Sequence, residues 1–231
     1  MAAQRNRNGN ENGSMNDETS LIQPAQIEQA IQICQSLGAR RPLAYNLGNL
    51  GDIYLDTGDL RKARQLLDQA LQEISPTQDV RGKAWLIADL GLVLLATGDG
   101  NGASRRFTEA RELALSQGLN AMACEITTGL AACAVLQGQL DLAGKYVHEA
   151  WDYVMEHGWV GFNYIGLDFR TCAEVFDALG EAENVRAVLE RGHQALMEVA
   201  DTINVPEWRQ SFLEIVPNNR ALMDMWEQRK Q

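Results

Sequence analysis

Proline is scarce in this sequence, with only five residues among 231. Together with a charged fraction of 22%, this scarcity suits a helical repeat protein better than a multi-stranded sandwich. The hydrophobic fraction of 45% is large enough to form a buried core. A single elongated, helical domain is therefore expected.

Clusters of basic residues are also missing, and the formal net charge is −11. Almost all of this charge lies outside residues 1–20. Binding to duplex DNA or to an anionic membrane surface requires clustered Lys and Arg side chains that neutralise phosphates. The sequence therefore predicts a protein that binds neither nucleic acid nor membranes.

Long apolar runs are absent, and the first 20 residues lack the apolar core of a signal peptide. A cytoplasmic location is expected. The four cysteines, Cys34, Cys124, Cys133 and Cys172, show no metal-ligand spacing and are expected to be buried, reduced thiols. No metal ion and no cofactor is predicted.

A repeat of 40 residues dominates what is present. Gly58, Gly98 and Gly138 mark its turns. Small residues recur downstream of each glycine, and fixed-period repeats indicate stacked supersecondary units that bury each other's apolar faces. These small residues are Ala63, Ala103 and Ala143, followed by Ala70, Ala110 and Ala150.

The apolar spacing within each unit predicts two helices joined by a tight turn. Thr57-Gly58-Asp59 and Thr97-Gly98-Asp99 are such turns, in which glycine adopts a left-handed conformation and the aspartate caps the next helix. First helices are predicted near 42–56, 80–96, 120–136 and 161–178. Second helices are predicted near 59–75, 100–117, 139–157 and 181–203.

The domain organisation follows from this register. Residues 1–20 are predicted to be a disordered leader, because they hold too little apolar surface to offset the entropy of ordering. Residues 21–203 form the repeat domain, with a half unit at 21–38 and full units at about 42–76, 80–118, 120–158 and 161–203. Residues 204–231 are predicted to be capping helices, near 207–215 and 219–229.

The repeat resembles the tetratricopeptide repeat. The first copy matches its pattern at Leu50, Gly51, Tyr54, Gly58, Ala63, Leu67 and Ala70, and the next two copies match at corresponding positions. The fourth copy departs, since Val185 and Gly192 replace alanines and the spacing grows to 42 residues. The resemblance implies an all-α, right-handed superhelical solenoid of antiparallel helix pairs.

A 40-residue unit is similar to the repeat arrays of bacterial signal-transducing ATPase-type and cyclase-type regulators. The resemblance also implies a concave groove lined by first helices. The chaperone-binding members clamp a carboxylate with Lys and Asn, but Gly48 and Asp52 occupy those positions here, so no such clamp is expected. The candidate groove residues are Tyr45, Asn49, Asp52, Trp85, Asp89, Leu92, Thr128, Val135, Arg170 and Glu174.

Two features of the candidate surface stay open at this stage. Trp85 suits either an anchor in the groove or packing between layers. The aromatic segment at 157–169 suits either a core stripe or an exposed docking patch. The sequence therefore leaves the groove and this segment as alternative binding surfaces.

The sequence predicts a protein- or peptide-binding scaffold without catalysis. His148, His157 and His193 have carboxylate neighbours, but no pocket or nucleophile accompanies them at recognisable spacing. The alternatives are a ligand-sensing regulatory module and a self-association module. The partner and the oligomeric state are not predicted.

Overall fold

A computed structural model describes residues 24–229 of the chain. This part is all α-helical, and the helices pack as consecutive antiparallel pairs, which confirms the predicted solenoid class. The predicted disordered leader at residues 1–20 lies outside the described residues. The helices are α1 (Pro24–Ser36), α2 (Arg40–Asp56), α3 (Leu60–Ile74), α4 (Val80–Ala96), α5 (Gly100–Ser116), α6 (Asn120–Leu136), α7 (Leu140–His157), α8 (Ile165–Ala178), α9 (Ala182–Asp201), α10 (Pro206–Glu214) and α11 (Pro217–Gln228).

The turns within the repeats have the predicted chemistry. Gly58 and Gly98 both have φ of 81°, a left-handed conformation that side chains with a Cβ rarely adopt. Asp59 accepts a hydrogen bond from the Lys62 amide at 3.1 Å, and Asp99 accepts one from the Gly102 amide at 2.8 Å. Each aspartate thereby satisfies an otherwise unpaired amide of the first helical turn.

The small residues of the repeat lie at the closest helix contacts. The six alanines that recur in the repeat are all buried, with at most 1% of their surface exposed. Phe107 lies between Gly91 and Gly129, and a methyl group on either glycine would approach its ring to 2.8 Å. Gly51 lies against Leu67 of the second helix, which is 2.9 Å from where a Cβ would lie. The glycines therefore make room for a large side chain of the second helix.

The fourth unit starts later than predicted. Helix α8 begins at Ile165, whereas the repeat register placed its start near residue 161. Gly158 ends α7 with φ of 75° and ψ of −161°, a backbone conformation that is essentially restricted to glycine. Residues 158–164 consequently form a loop in place of a tight turn.

Helix α11 packs against both α8 and α9 at the end of the stack. Its Leu222 is fully buried in the cluster that α6 to α9 form. Cys124, Cys133 and Cys172 are buried free thiols, as predicted, and Cys34 is a free thiol that is partly exposed. Among the described helices, none combines the length and the hydropathy of a bilayer-spanning segment.

Candidate functional site

The first helices of the units, α2, α4, α6 and α8, line the inner face of the stack. Each of these helices contacts the first helix of the next unit, so their facing side chains form one continuous groove. The loop at 158–164 precedes α8 and passes into this groove. It carries Tyr164, whose hydroxyl reaches helices α2 and α4.

Tyr164 forms the polar centre of the groove. Its hydroxyl oxygen lies 2.8 Å from Asp52 Oδ2 and 3.2 Å from Asp89 Oδ1, and it accepts a hydrogen bond from Trp85 Nε1 at 3.0 Å. A phenol carries one proton and can donate it to only one of the two carboxyl groups. A proton on the other carboxyl group completes the second contact.

Glu125 holds the loop in place from α6. Its carboxylate accepts hydrogen bonds from the backbone amides of Asn163 and of Tyr164, the latter at 3.0 Å. The Asn163 side chain adds a third hydrogen bond at 3.3 Å. These contacts fix the backbone immediately before α8, so the position of Tyr164 depends on Glu125.

Two pairs of carboxyl groups face each other beneath the loop. Asp52 lies near Asp89, and Glu125 lies near Asp168, so that burial and the neighbouring carboxyl group both raise the pKa of Asp89 and of Asp168. Thr128 also donates a hydrogen bond to Asp168 Oδ1 at 2.9 Å. Two neighbouring buried carboxyl groups disfavour double ionisation, so each pair favours holding a proton.

Burial raises the pKa of all four carboxyl groups, because desolvation disfavours their charged forms. The pKa of Asp52 rises to about 7, and that of Glu125 also rises to about 7. For Asp89 and Asp168 the pKa rises well above its ordinary value, and a neighbouring carboxylate adds to the effect of burial. The groove therefore carries protons at neutral pH.

Two adjoining cavities open onto the groove. The inner cavity, of about 130 Å³, lies against Asp89, Asp168 and an apolar wall. The outer cavity, of about 330 Å³, extends past Asp52 and Asp56 toward α11. The apolar wall of the inner cavity includes Ala88, Leu92, Leu95, Phe107, Ile126 and Ala132.

The structure brings most of the predicted groove residues to this site. Two of the ten, Tyr45 and Asn49, line a neighbouring shallow cavity beside Trp85. Seven line the inner or the outer cavity: Asp52, Trp85, Asp89, Leu92, Thr128, Arg170 and Glu174.

Trp85 packs between layers and also lines the groove. Its ring stacks on Tyr45, with centroids 5.5 Å apart, and occupies the space over Gly48, where a Cβ would approach it to 2.7 Å. Its N–H group meanwhile points to Tyr164 in the groove. The indole therefore joins α2 to α4 and also lines the site.

One expectation about the groove needs correction. Val135, a predicted groove residue, packs against the hydrophobic cluster of α6 to α9 and lines neither the inner nor the outer cavity. The acidic residues Asp52, Asp89 and Asp168 all lie within the site. The missed residues are Asn163, Tyr164 and Asp168, and the 42-residue spacing of the fourth unit was the available signal for an inserted loop.

The aromatic segment at 157–169 points mainly inward. Trp159 and Phe162 are partly buried against the core, and Phe169 is fully buried. The Arg191 guanidinium lies over the Trp159 ring at 4.4 Å from its centroid. Val160 is the exception, with 87% of its surface exposed. The segment therefore offers little contiguous apolar surface for docking.

In the described part of the chain, no three His, Cys, Asp or Glu side chains are grouped so that they could hold a metal ion. The buried carboxyl groups are arranged as neighbouring pairs on separate helices. These carboxyl groups can bind protons or accept hydrogen bonds from other donors. Such hydrogen bonds are strong when the donor is charged.

Comparison with known proteins finds likeness at the level of structure. The sequence matches no protein-family model and no curated protein. BtubC (BKLC) from P. vanneervenii superposes with a TM-score of 0.59 at 15% identity, over 90% of this chain and 89% of BtubC. A Rap protein complexed with Competence and Sporulation Factor superposes with a TM-score of 0.57 at 16% identity, over 90% of this chain and 58% of the Rap chain.

Both of these structures are helical-repeat proteins of the tetratricopeptide type. At 15% and 16% identity the likeness concerns the fold alone. It shows that the chain has the fold of a tetratricopeptide-repeat solenoid, as the repeat frame predicted.

Proposed function

We propose that this chain is a non-catalytic scaffold that binds an extended peptide segment or a protein surface in its inner groove. The observation that carries this proposal is the groove itself, which α2, α4, α6 and α8 line and which combines an apolar wall with acidic groups. A Rap protein of similar fold forms a complex with Competence and Sporulation Factor, which supports a binding role for such a solenoid.

The side chains that line the groove indicate which kind of peptide segment it can bind. Leu92 and Trp85 offer half-buried apolar surface for anchor side chains. Asp56 and Glu174 line the cavities, and the chain has a net charge of −11. A segment with apolar anchors and basic flanks is complementary to this surface, and added salt weakens the charged part of the interaction through screening.

A peptide array followed by titration tests the proposal. The change Leu92→Glu places a charge where an anchor docks, and we expect affinity for the selected peptides to fall at least about tenfold, equivalent to about 1.4 kcal/mol. The matched control is Thr108→Glu, which adds the same charge at an exposed position of α5. Equal binding by a folded Leu92→Glu variant and the parent chain contradicts groove binding.

A ligand-sensing module is the second candidate, and the partly enclosed inner cavity favours it. Its volume of about 130 Å³ and its buried carboxyl groups suit a small cationic molecule. Thermal-shift measurements with a panel of small organic cations test this candidate. Stabilisation of the parent chain that is lost in Asp89→Asn supports it, and no stabilisation by any member argues against it.

A further inference from the structure

The carboxyl groups beneath the loop lack a basic partner within the described part of the chain. Each of the four first helices supplies one of these acidic side chains, which are Asp52, Asp89, Glu125 and Asp168. Arg170 is the one basic residue that lines the inner or the outer cavity, and its guanidinium pairs with Glu174 at 2.5 Å. Buried carboxylates without a countercharge are costly, so protons must neutralise them in the free protein.

Three of these side chains also have an oxygen atom that no amide, hydroxyl or cationic donor of the described residues reaches. These atoms are Asp52 Oδ1, Asp89 Oδ2 and Asp168 Oδ2, and of these residues Asp89 and Asp168 are only 0% and 4% exposed. Asp89 and Asp168 line the inner cavity, and Asp52 lines the outer one. The cavity therefore presents carboxyl oxygens that can accept hydrogen bonds from an entering group, and a buried polar atom without a donor is destabilising.

The size and wall of the inner cavity restrict what can enter. Its volume of about 130 Å³ is smaller than the roughly 300 Å³ at the lower end of drug-sized pockets. Leu92, Phe107 and Ile126 line it beside the carboxyl groups. An aliphatic stem with a cationic end matches both features, because the stem packs on apolar surface while its charged head meets the carboxylates.

We propose that Asp89 and Asp168 form a binding site for one basic side chain, an arginine or a lysine, of a segment that lies in the groove. This inference rests on the proposed function and specifies its central contact. The guanidinium or ammonium group donates hydrogen bonds to the carboxylate oxygens that lack a donor. The rest of the segment follows the apolar wall toward the outer cavity.

Binding of the cation is coupled to release of a proton. In the free protein the burial of Asp89 and Asp168 keeps their pKa values high, so that the carboxyl groups hold protons. A cation stabilises the ionised carboxylate and lowers its pKa, and the displaced proton passes to solvent. The ionisable groups that face the pair lie on all the surrounding elements. They are Asp52 and Asp56 from α2, Cys124 and Glu125 from α6, Tyr164 from the loop, and Arg170, Cys172 and Glu174 from α8.

The affinity of the site for a basic side chain rises with pH, because the ionised carboxylate that binds the cation becomes more populated. Protonation at lower pH competes with the basic side chain. The neighbouring Asp52 and Glu125, whose pKa values are about 7, place part of this dependence near neutrality.

The test uses matched peptide pairs from the array, in which each arginine is replaced by citrulline. Citrulline keeps the shape of the side chain and removes its charge. At pH 8 we expect the arginine peptide to bind at least about tenfold more tightly, equivalent to about 1.4 kcal/mol, and the ratio to shrink at pH 6. Calorimetric titrations in two buffers with different ionisation enthalpies measure the proton release, expected to be about one per carboxyl group that ionises.

Asp89→Asn and Asp168→Asn assign the effect to the two side chains. These substitutions preserve shape, and circular dichroism confirms folding before binding is measured. We expect each to reduce the preference for arginine over citrulline and the proton release. Asp152→Asn, on the exposed face of α7, removes the same charge and serves as the matched control that changes neither quantity.

The possible outcomes separate the site from the wider function. Equal binding of arginine and citrulline peptides, without proton release, overturns the cation site while groove binding stands. Binding of free n-butylguanidinium that depends on Asp89, with no peptide bound, overturns a peptide as the source of the cation and favours a small-molecule ligand. Failure of both peptides and n-butylguanidinium to bind overturns the site and the proposed function together.

Discussion

At the scale of single residues, side-chain size determines how closely the helices pack, and the protonation of buried carboxyl groups determines the chemistry of the groove. Ala63 and Ala103 are fully buried within the hydrophobic clusters between helices, and Gly91 leaves space for the ring of Phe107. In the groove, by contrast, Asp89 and Asp168 are as deeply buried as core residues but carry ionisable groups. Packing therefore positions carboxyl groups where their pKa values must rise.

The close packing at the recurring alanines can be tested by replacing one of them with a larger side chain. Ala103→Leu inserts three carbon atoms at a fully buried helix contact, and we expect it to lower the free energy of unfolding by about 1–3 kcal/mol through strained packing. Chemical denaturation measures the change. Ala178→Leu, at an exposed position of α8, is the control and should stay within about 0.5 kcal/mol of the parent. Equal, small changes for both variants contradict the close contact at Ala103.

At the scale of elements, the repeats and the inserted loop differ in how far the sequence predicts them. The period of 40 residues, the turn glycines and the capping aspartates repeat, so each copy supports the interpretation of the others. The loop at 158–164 occurs once, and its path depends on the ψ angle of Gly158, which residue type does not determine. Its insertion also depends on contacts between Tyr164 and residues 112 and 75 positions away, Asp52 and Asp89.

The role of Glu125 as the anchor of this loop leads to a local prediction. Glu125→Ala removes the acceptor for the amides of Asn163 and Tyr164, so we expect faster hydrogen exchange at these two amides. Exchange in α4 and α5 should change much less, because their hydrogen bonds lie within the helices. Glu112→Ala, which truncates an exposed side chain on α5, is the control. Unchanged exchange at Asn163 and Tyr164 would show that other contacts hold the loop.

At the scale of the whole molecule, the buried carboxyl pairs connect stability to pH. The pKa values of Asp52 and Glu125, about 7 in the folded chain, exceed the ordinary values of 3.8 and 4.5. The folded state therefore binds more protons than the unfolded state between these limits. Stability contributed by these groups is complete below about pH 4 and is lost as pH rises through 7.

We therefore expect the free energy of unfolding to decrease by a few kcal/mol between pH 5 and pH 8, since a difference of one pH unit in pKa corresponds to about 1.4 kcal/mol. Urea denaturation at several pH values measures this slope. Asp89→Asn and Asp168→Asn should flatten it, because an amide does not titrate, whereas the surface variant Asp152→Asn should keep it. A stability that rises from pH 5 to pH 8 in the parent chain contradicts protonated carboxyl pairs.

Site-specific photo-crosslinking to a peptide selected on the array shows whether the inner groove is the binding surface. The photoreactive residue p-benzoylphenylalanine replaces Leu92 in the groove or Thr108 on the exposed face of α5. We expect efficient crosslinking from position 92, competition by unlabelled peptide, and little crosslinking from position 108. Specific crosslinking from position 108 with none from position 92, in variants that both bind the peptide, would contradict binding in the groove.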